Sequence, residues 1–172
     1  NHEGGNAMSL TQEEMKVLEL LYEDARVTPE RAAVMLGMRE EDVRAAVDKL
    51  EQERVIVGYP ALVNWDKTPI EKVKAVIEVK VTPQRDMGFD AIAARIYRFD
   101  EVTAVYLMSG AYDLMLEVQA ESLRTLANFV SQKLATIDSV LSTATHFVLK
   151  KYKVDGVILE EEHADHRLAV TP

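Results

Sequence analysis

The chain has 172 residues, enough for two small domains with one core each, and its 20 basic and 29 acidic residues give a formal net charge of −9. It contains no cysteine, which excludes disulfides, thiolate metal sites and thiol catalysis and fits a reducing cytoplasm. No apolar run reaches 18 residues and no signal-peptide pattern is present, so neither a membrane span nor export is expected, while the acidic balance opposes bulk attraction to nucleic acid.

Residues 1–7 (NHEGGNA), directly before Met8, read as an expression scar and Met8 as the native start. Thr11-Gln-Glu-Glu14 then forms a capping-box pattern, followed by Met15, Leu18, Leu21 and Tyr22 on one helical face. Thr28-Pro29 repeats the start signal, Ala32, Ala33 and Leu36 supply a narrow apolar face, and Gly37 ends this second helix. A third helix follows with Val43, Val47 and Leu50 inward. A short helix, a glycine turn and a longer helix make a helix-turn-helix candidate. Residues 55–63 are rich in β-formers with Gly58 and Pro60 among them, which predicts a short edge strand or wing.

If the third helix buries Val43, Val47 and Leu50, its opposite face carries Glu41, Ala45, Asp48 and Gln52, flanked by Arg44 and Lys49. Arg44, Lys49 and Gln52 are then the candidates for base edges, and Arg39 and Arg54 for phosphates. Across residues 9–66, seven basic residues face thirteen acidic ones, a balance of −6. Glu40, Glu41 and Asp42 suit a helix N-terminus electrostatically, at the expense of affinity for a polyanion.

Residues 64–72, with Pro69, are expected to be a linker. Val73, Ala75, Ile77, Val79 and Val81 alternate as a strand that stops before Pro83, and Phe89, Ile92, Ala93 and Ile96 follow helical spacing. Strands are expected over 102–108 and 114–120, joined by a Ser-Gly-Ala-Tyr-Asp turn. Leu123, Leu126, Ala127, Val130 and Leu134 predict a second helix, and 140–152 a long last strand. The order β-α-β-β-α-β is the split βαβ arrangement, an antiparallel sheet with both helices on one face. Its other face is expected to be apolar and bare, so that a second copy of the chain should cover it.

The turn and its flanking strands, with LEQERVIVGYPALVN after the third helix, resemble the Lrp/AsnC (feast/famine) family of transcriptional regulators. The resemblance implies an α+β chain: a winged helix-turn-helix over 8–63 and a ferredoxin-like, RAM-type effector domain over 73–153. It also implies homodimers that assemble to tetramers or octamers, double-stranded DNA as partner, and an effector, expected to be an amino acid, held at Ser109, Gly110, Ala111, Tyr112 and Asp113 with Thr143 and Thr145 nearby. Chemically, Gly110 lets a ligand approach successive N–H groups that would hold a carboxylate, and Asp113 could take an ammonium; a hairpin closed by Gly110 and a turn bond to Asp113 account for the same residues. One departure is Arg39-Glu40-Glu41-Asp42, where the family has a Ser or Thr cap followed by basic residues.

Residues 154–172 form an acidic extension, and its Glu160, Glu161, Glu162, His163, Asp165 and His166 read as a solvated segment rather than a metal site. Val157 to Leu159 and Leu168 to Val170 could each add a short edge strand. No catalytic constellation emerges, and no cofactor is expected. Two other readings stand beside the regulator: an effector-binding or partner-regulating protein whose helical unit has lost DNA affinity, and an enzyme similar to the siroheme decarboxylases that share this architecture. For the latter, His146 is the one histidine inside the predicted domains.

Overall fold

The computed structural model describes residues 9–83, 85 and 88–160. The expectations for 1–7, Met8, Glu161, Glu162, His163, Asp165, His166 and 168–170 lie outside the described residues. The chain divides into two compact units, one ending at Leu62 and one beginning at Val63.

The first unit packs α1 (Gln12–Glu23), α2 (Pro29–Leu36) and α3 (Glu40–Gln52) around Val17, Ala32, Ala33, Val43, Ala46 and Leu50. Thr11 caps α1 reciprocally: its Oγ1 accepts from Glu14 N at 3.1 Å, and its own N–H donates to Glu14 Oε2 at 3.1 Å. Losing this cap in Thr11→Ala should cost about 1 kcal/mol, measured as a lower thermal midpoint of the helical signal. Thr28 caps α2 by accepting from Arg31 N, and Gly37 ends it at φ +64°, a conformation that favours glycine. The inward stripe of α1 differs from the expectation. Val17 is buried, with Leu18, Leu20 and Leu21 packed against the core, whereas Met15 is 38% and Tyr22 91% exposed.

Residues 55–63, expected as an edge strand or wing, form no strand. Arg54 turns the chain at φ +56°, and the Val55 and Ile56 N–H groups both donate to Leu50 O, which folds these two side chains onto the helical core. The described part of this unit contains no other strand to pair with, so the β-formers there have no ladder to join.

In the second unit, 64–72 is tied down rather than extended. Trp65–Lys67 make a 3₁₀ turn, Thr68 Oγ1 donates to Trp65 O at 2.8 Å, and Asn64 Nδ2 donates to Leu159 O at 3.4 Å. The sheet consists of β1 (Val73–Val81), β2 (Val102–Leu107), β3 (Leu114–Ala120) and β4 (Val140–Phe147), antiparallel in the order β2-β3-β1-β4. Helices α4 (Phe89–Ile96) and α5 (Leu123–Asn128) follow β1 and β3, giving the expected β-α-β-β-α-β order of a ferredoxin-like fold. Ala75, Ile77 and Val79 alternate inward from β1, and Leu114, Leu116 and Val118 from β3, against Ile92, Ile96, Leu126 and Leu134. Each of these fully buried Val, Leu and Ile side chains contributes about 1.5–3 kcal/mol relative to exposure.

Three details depart from the sequence reading. Helix α5 continues as a π-helical turn, Phe129–Leu134, in which Ala135 N donates to Val130 O; this buries Phe129, while Leu123 is exposed. Strand β4 ends at Phe147 rather than 152, because Val148 N makes its bond to Lys74 O and β1 begins at Val73, leaving nothing further to pair with. A separate hairpin follows, with β5 (Lys153–Val154) against β6 (Val157–Ile158) around Asp155 and Gly156, both at positive φ.

The second face of the sheet is mixed rather than apolar. By register it carries Val76, Met115, Ala104 and Tyr106 beside Lys74, Glu78, Glu117 and His146. His146 Nε2 lies 3.3 Å from Glu78 Oε2, and Lys74 Nζ lies 4.0 Å from Glu117 Oε2. Among the described residues, no helix is long and apolar enough to cross a membrane.

Candidate functional site

Helix α3 buries Val43, Ala46 and Leu50, with Val47 packed beside them, and thereby turns Glu41, Ala45, Asp48 and Gln52 outward. Three of the candidate cations are held by acids of the same unit. Arg39, at the N-cap position but without a side-chain cap bond, grips both oxygens of Asp42 at 2.9 and 3.1 Å and meets Glu41 at 2.8 Å. Arg44 bridges Glu40 at 2.7 Å and Glu30, on α2, at 2.9 Å. Lys49 reaches the α1 flank and donates to Glu14 Oε1 at 2.9 Å, so it lies apart from the outward Glu41–Asp48 row. Gln52 and Arg54 are exposed, Arg54 just beyond the helix where the chain turns.

Those acids act on the ionisation of their partners. Hydrogen bonding to Asp42, Glu40 and Glu14 respectively raises Arg39, Arg44 and Lys49 above their ordinary values. In return the Lys49 hydrogen bond, with the Thr11 N–H second, holds the Glu14 carboxyl below its ordinary 4.5. A depressed carboxylate contributes stability that is present above its ordinary value and lost as pH falls through the depressed one, so this tie between α1 and α3 belongs to neutral pH. These ion pairs are largely exposed and screened by salt, so they do not lock the cations away from another anionic partner. Until one binds, these cations are neutralised, and the face as a whole stays acidic.

In the sheet unit, the glycine turn is closed by Met108 N donating to Asp113 O at 2.8 Å, with Gly110 at φ +113°. Asp113 ties the turn to β1 at two points: its N–H donates to Val79 O at 3.0 Å, and its Oδ2 accepts from Val81 N at 2.9 Å, beside the irregularity between Lys80 and Val81. One carboxylate oxygen therefore accepts a structural hydrogen bond, as the hairpin reading of Asp113 allowed, but from β1 rather than from within the turn. Ser109, Gly110 and Ala111 are exposed, while Tyr112 and Asp113 are half-buried. Thr143 lies opposite Val79 on β4 and Thr145 opposite Ile77, both half-buried. The fold thus brings Asp113 and Thr143 to the same end of β1 from its two sides, with Thr145 one alternate position further along.

A small helix-turn-helix unit followed by a ferredoxin-like domain is the layout of a one-component transcriptional regulator. Residues 74–158 match the Lrp/AsnC ligand binding domain family. Over 166 residues the chain is 50% identical to YugG of Bacillus subtilis, an uncharacterized HTH-type transcriptional regulator, covering 96% of this chain and 100% of that one. It is 31% identical over 140 residues to the leucine-responsive regulatory protein of Rhizobium meliloti, covering 81% and 89%. Among solved structures, AsnC of E. coli superimposes with a TM-score of 0.67 at 25% identity, over 87% of this chain and 98% of that one. A Neisseria meningitidis transcriptional regulator determined with L-Met gives 0.69 at 22% identity, over 88% and 97%. The chain belongs to the Lrp/AsnC family of DNA-binding, effector-sensing transcriptional regulators.

Proposed function

We propose that this regulator is a cytoplasmic homo-oligomer that reads double-stranded DNA through α3 and changes its assembly when a free amino acid binds at the turn formed by Ser109, Gly110, Ala111, Tyr112 and Asp113. The observation that carries the effector reading is the attachment of that turn to β1. A ligand whose carboxylate meets N–H groups around Gly110 and whose ammonium meets Asp113 would act on the Val79 and Val81 bonds, and through β1 on the sheet. The L-Met complex of the Neisseria regulator and the leucine response named for the Rhizobium relative support an amino acid as the class of ligand.

In this reading, two copies pair through the mixed sheet face and dimers associate further into tetramers or octamers. Effector binding then shifts the spacing of paired α3 helices, which must match half-sites about 34 Å apart or a multiple of that. A coupling of about 1–3 kcal/mol between the two sites suffices for a 5- to 150-fold change in DNA affinity.

The experiment is thermal melting with each common amino acid in turn, on the wild type, Asp113→Asn and Asp113→Ala. The cognate amino acid at ~100 times its Kd should stabilise the wild type by about 2.7 kcal/mol. Asp113→Asn keeps an oxygen for the Val81 N–H but removes the charge, so it should melt close to wild type and lose the ligand's effect. Asp113→Ala should in addition lower the ligand-free stability by about 1–3 kcal/mol, because Val81 N loses its acceptor. Stabilisation that persists in Asp113→Asn would place the ammonium elsewhere.

A further inference from the structure

At the end of β1 away from the glycine turn, the sheet unit contains a cavity of about 110 Å³ whose lining includes Lys72, Lys74, Lys150 and Lys151 against a single acid, Asp66. Lys74 precedes Val79 by five residues on β1, so this cavity is about 17 Å along the strand from the turn. Glu117 beside Lys74 and Glu160 beside Lys150 offset part of this charge, yet in a chain with a net charge of −9 the cavity still carries a local surplus of cations.

The fold itself brings these lysines together. Lys74 lies within β1, Lys72 just before it, and Lys150 and Lys151 on the segment that leaves β4 after the Val148 to Lys74 bond. Lys74 and Lys151 are half-buried. Lys151 is held below its ordinary value, first by burial and then by the charge of Lys74, with Asp66 and Glu117 only partly offsetting these effects. Glu117 lies 4.0 Å from Lys74 Nζ, too far for a good hydrogen bond. Lys72 is placed over the Trp65 ring, 3.9 Å from its centroid, and Lys150 pairs with Glu160. Two like charges held close in a partly dry cavity repel each other, and a bound anion would remove that repulsion.

We propose that this cavity is a second ligand site, for a compact oxyanion, either a phosphoryl or a carboxylate group, held by Lys74 and Lys151 with Lys72 at the rim. The volume suits the head group, since a water molecule takes about 30 Å³. The site lies in the same domain as the effector turn and shares no residue with it, while Lys74 stands on the sheet face through which the proposed dimer pairs, so that the second copy would border the site.

Trp65 lines the cavity and is the chain's one tryptophan, so its emission reports the site directly. The full chain is titrated with inorganic phosphate, and separately with acetate, at constant ionic strength set with sodium chloride. A saturable change in Trp65 emission is expected. Saturation with phosphate alone assigns a phosphoryl ligand, with acetate alone a carboxylate, and with both a general oxyanion site. Lys151→Gln should weaken binding by about tenfold or more, the loss of one charge-assisted hydrogen bond, and Lys151→Arg should retain it. Lys74→Gln tests the other side of the cavity with the same expectation. An absence of saturation with both anions, or an affinity unchanged from wild type in both glutamine variants, would overturn the proposal. So would a change produced only by duplex DNA, which would assign these lysines to its phosphate backbone.

Discussion

Replacing Arg44 and Lys49 together by alanine is expected to reduce affinity for the regulator's own DNA site by roughly 2–6 kcal/mol, about thirtyfold to twenty-thousandfold, if each side chain supplies a contact of about 1–3 kcal/mol. The measurement is a titration of the DNA upstream of the gene at several salt concentrations. The slope of log affinity against log salt should fall by about 1 for each of the two that contacts a phosphate. In the unbound protein these cations are occupied by Glu40, Glu30 and Glu14. DNA must therefore exchange one anionic partner for another, and the wild-type protein should bind nonspecific DNA weakly. Thr11 and Glu14 still cap α1 in the double variant, so circular dichroism should show the helices intact. Unchanged specific binding would show that α3 does not present these residues to the groove.

Phe129→Ala is expected to cost about 3–5 kcal/mol, a large part of the ~5–15 kcal/mol by which a domain is normally stable. Phe129 is 2% exposed and meets Phe99 edge to face, with ring centroids 5.6 Å apart. Truncation removes the aromatic contact and leaves a void between the π-helical turn and the sheet. Trp65 belongs to the same unit, so its fluorescence follows this unfolding separately from the helical unit. The urea midpoint should drop by about 2 M at a typical dependence on denaturant. A shift below ~0.5 M would show that the ring contributes little to the core.

How much was legible depends on how local each cause is. The alternation Val73, Ala75, Ile77, Val79, Val81 places β1 because a strand between two others buries one face along its whole length, and the Thr11–Glu14 box needs only residues three apart. Phe129 escaped because the π-helical turn inserts one residue and changes which side chains point inward, an effect that spacing at 3.6 residues per turn cannot anticipate. In α1, Met15 and Tyr22 lie on a plausible apolar stripe, but contact with Val43 and Leu50 selects the stripe containing Val17. The end of β4 was hidden for a similar reason, since it is set by where β1 begins, some seventy residues earlier.

The candidate site divides along the same line. The positions of Gly110 and Asp113 in a turn, and the cations on the third helix, could be read from residue type and order. That Asp113 also accepts from Val81 N, that Lys49 leans to Glu14, and that Arg44 bridges α2 and α3 are relations between distant segments.

Legible along the chain were the three helices, the β-α-β-β-α-β order, the Thr11 and Thr28 caps, the glycine turn and the family likeness, because each depends on side chains a few positions apart along one element. The tertiary structure alone decided the burial of Phe129, the absence of a wing strand, the mixed sheet face, the ion pairing of α3 and the lysine-lined cavity. Each of those depends on which distant segments meet, and charge or hydropathy read along the chain carries no distance between them.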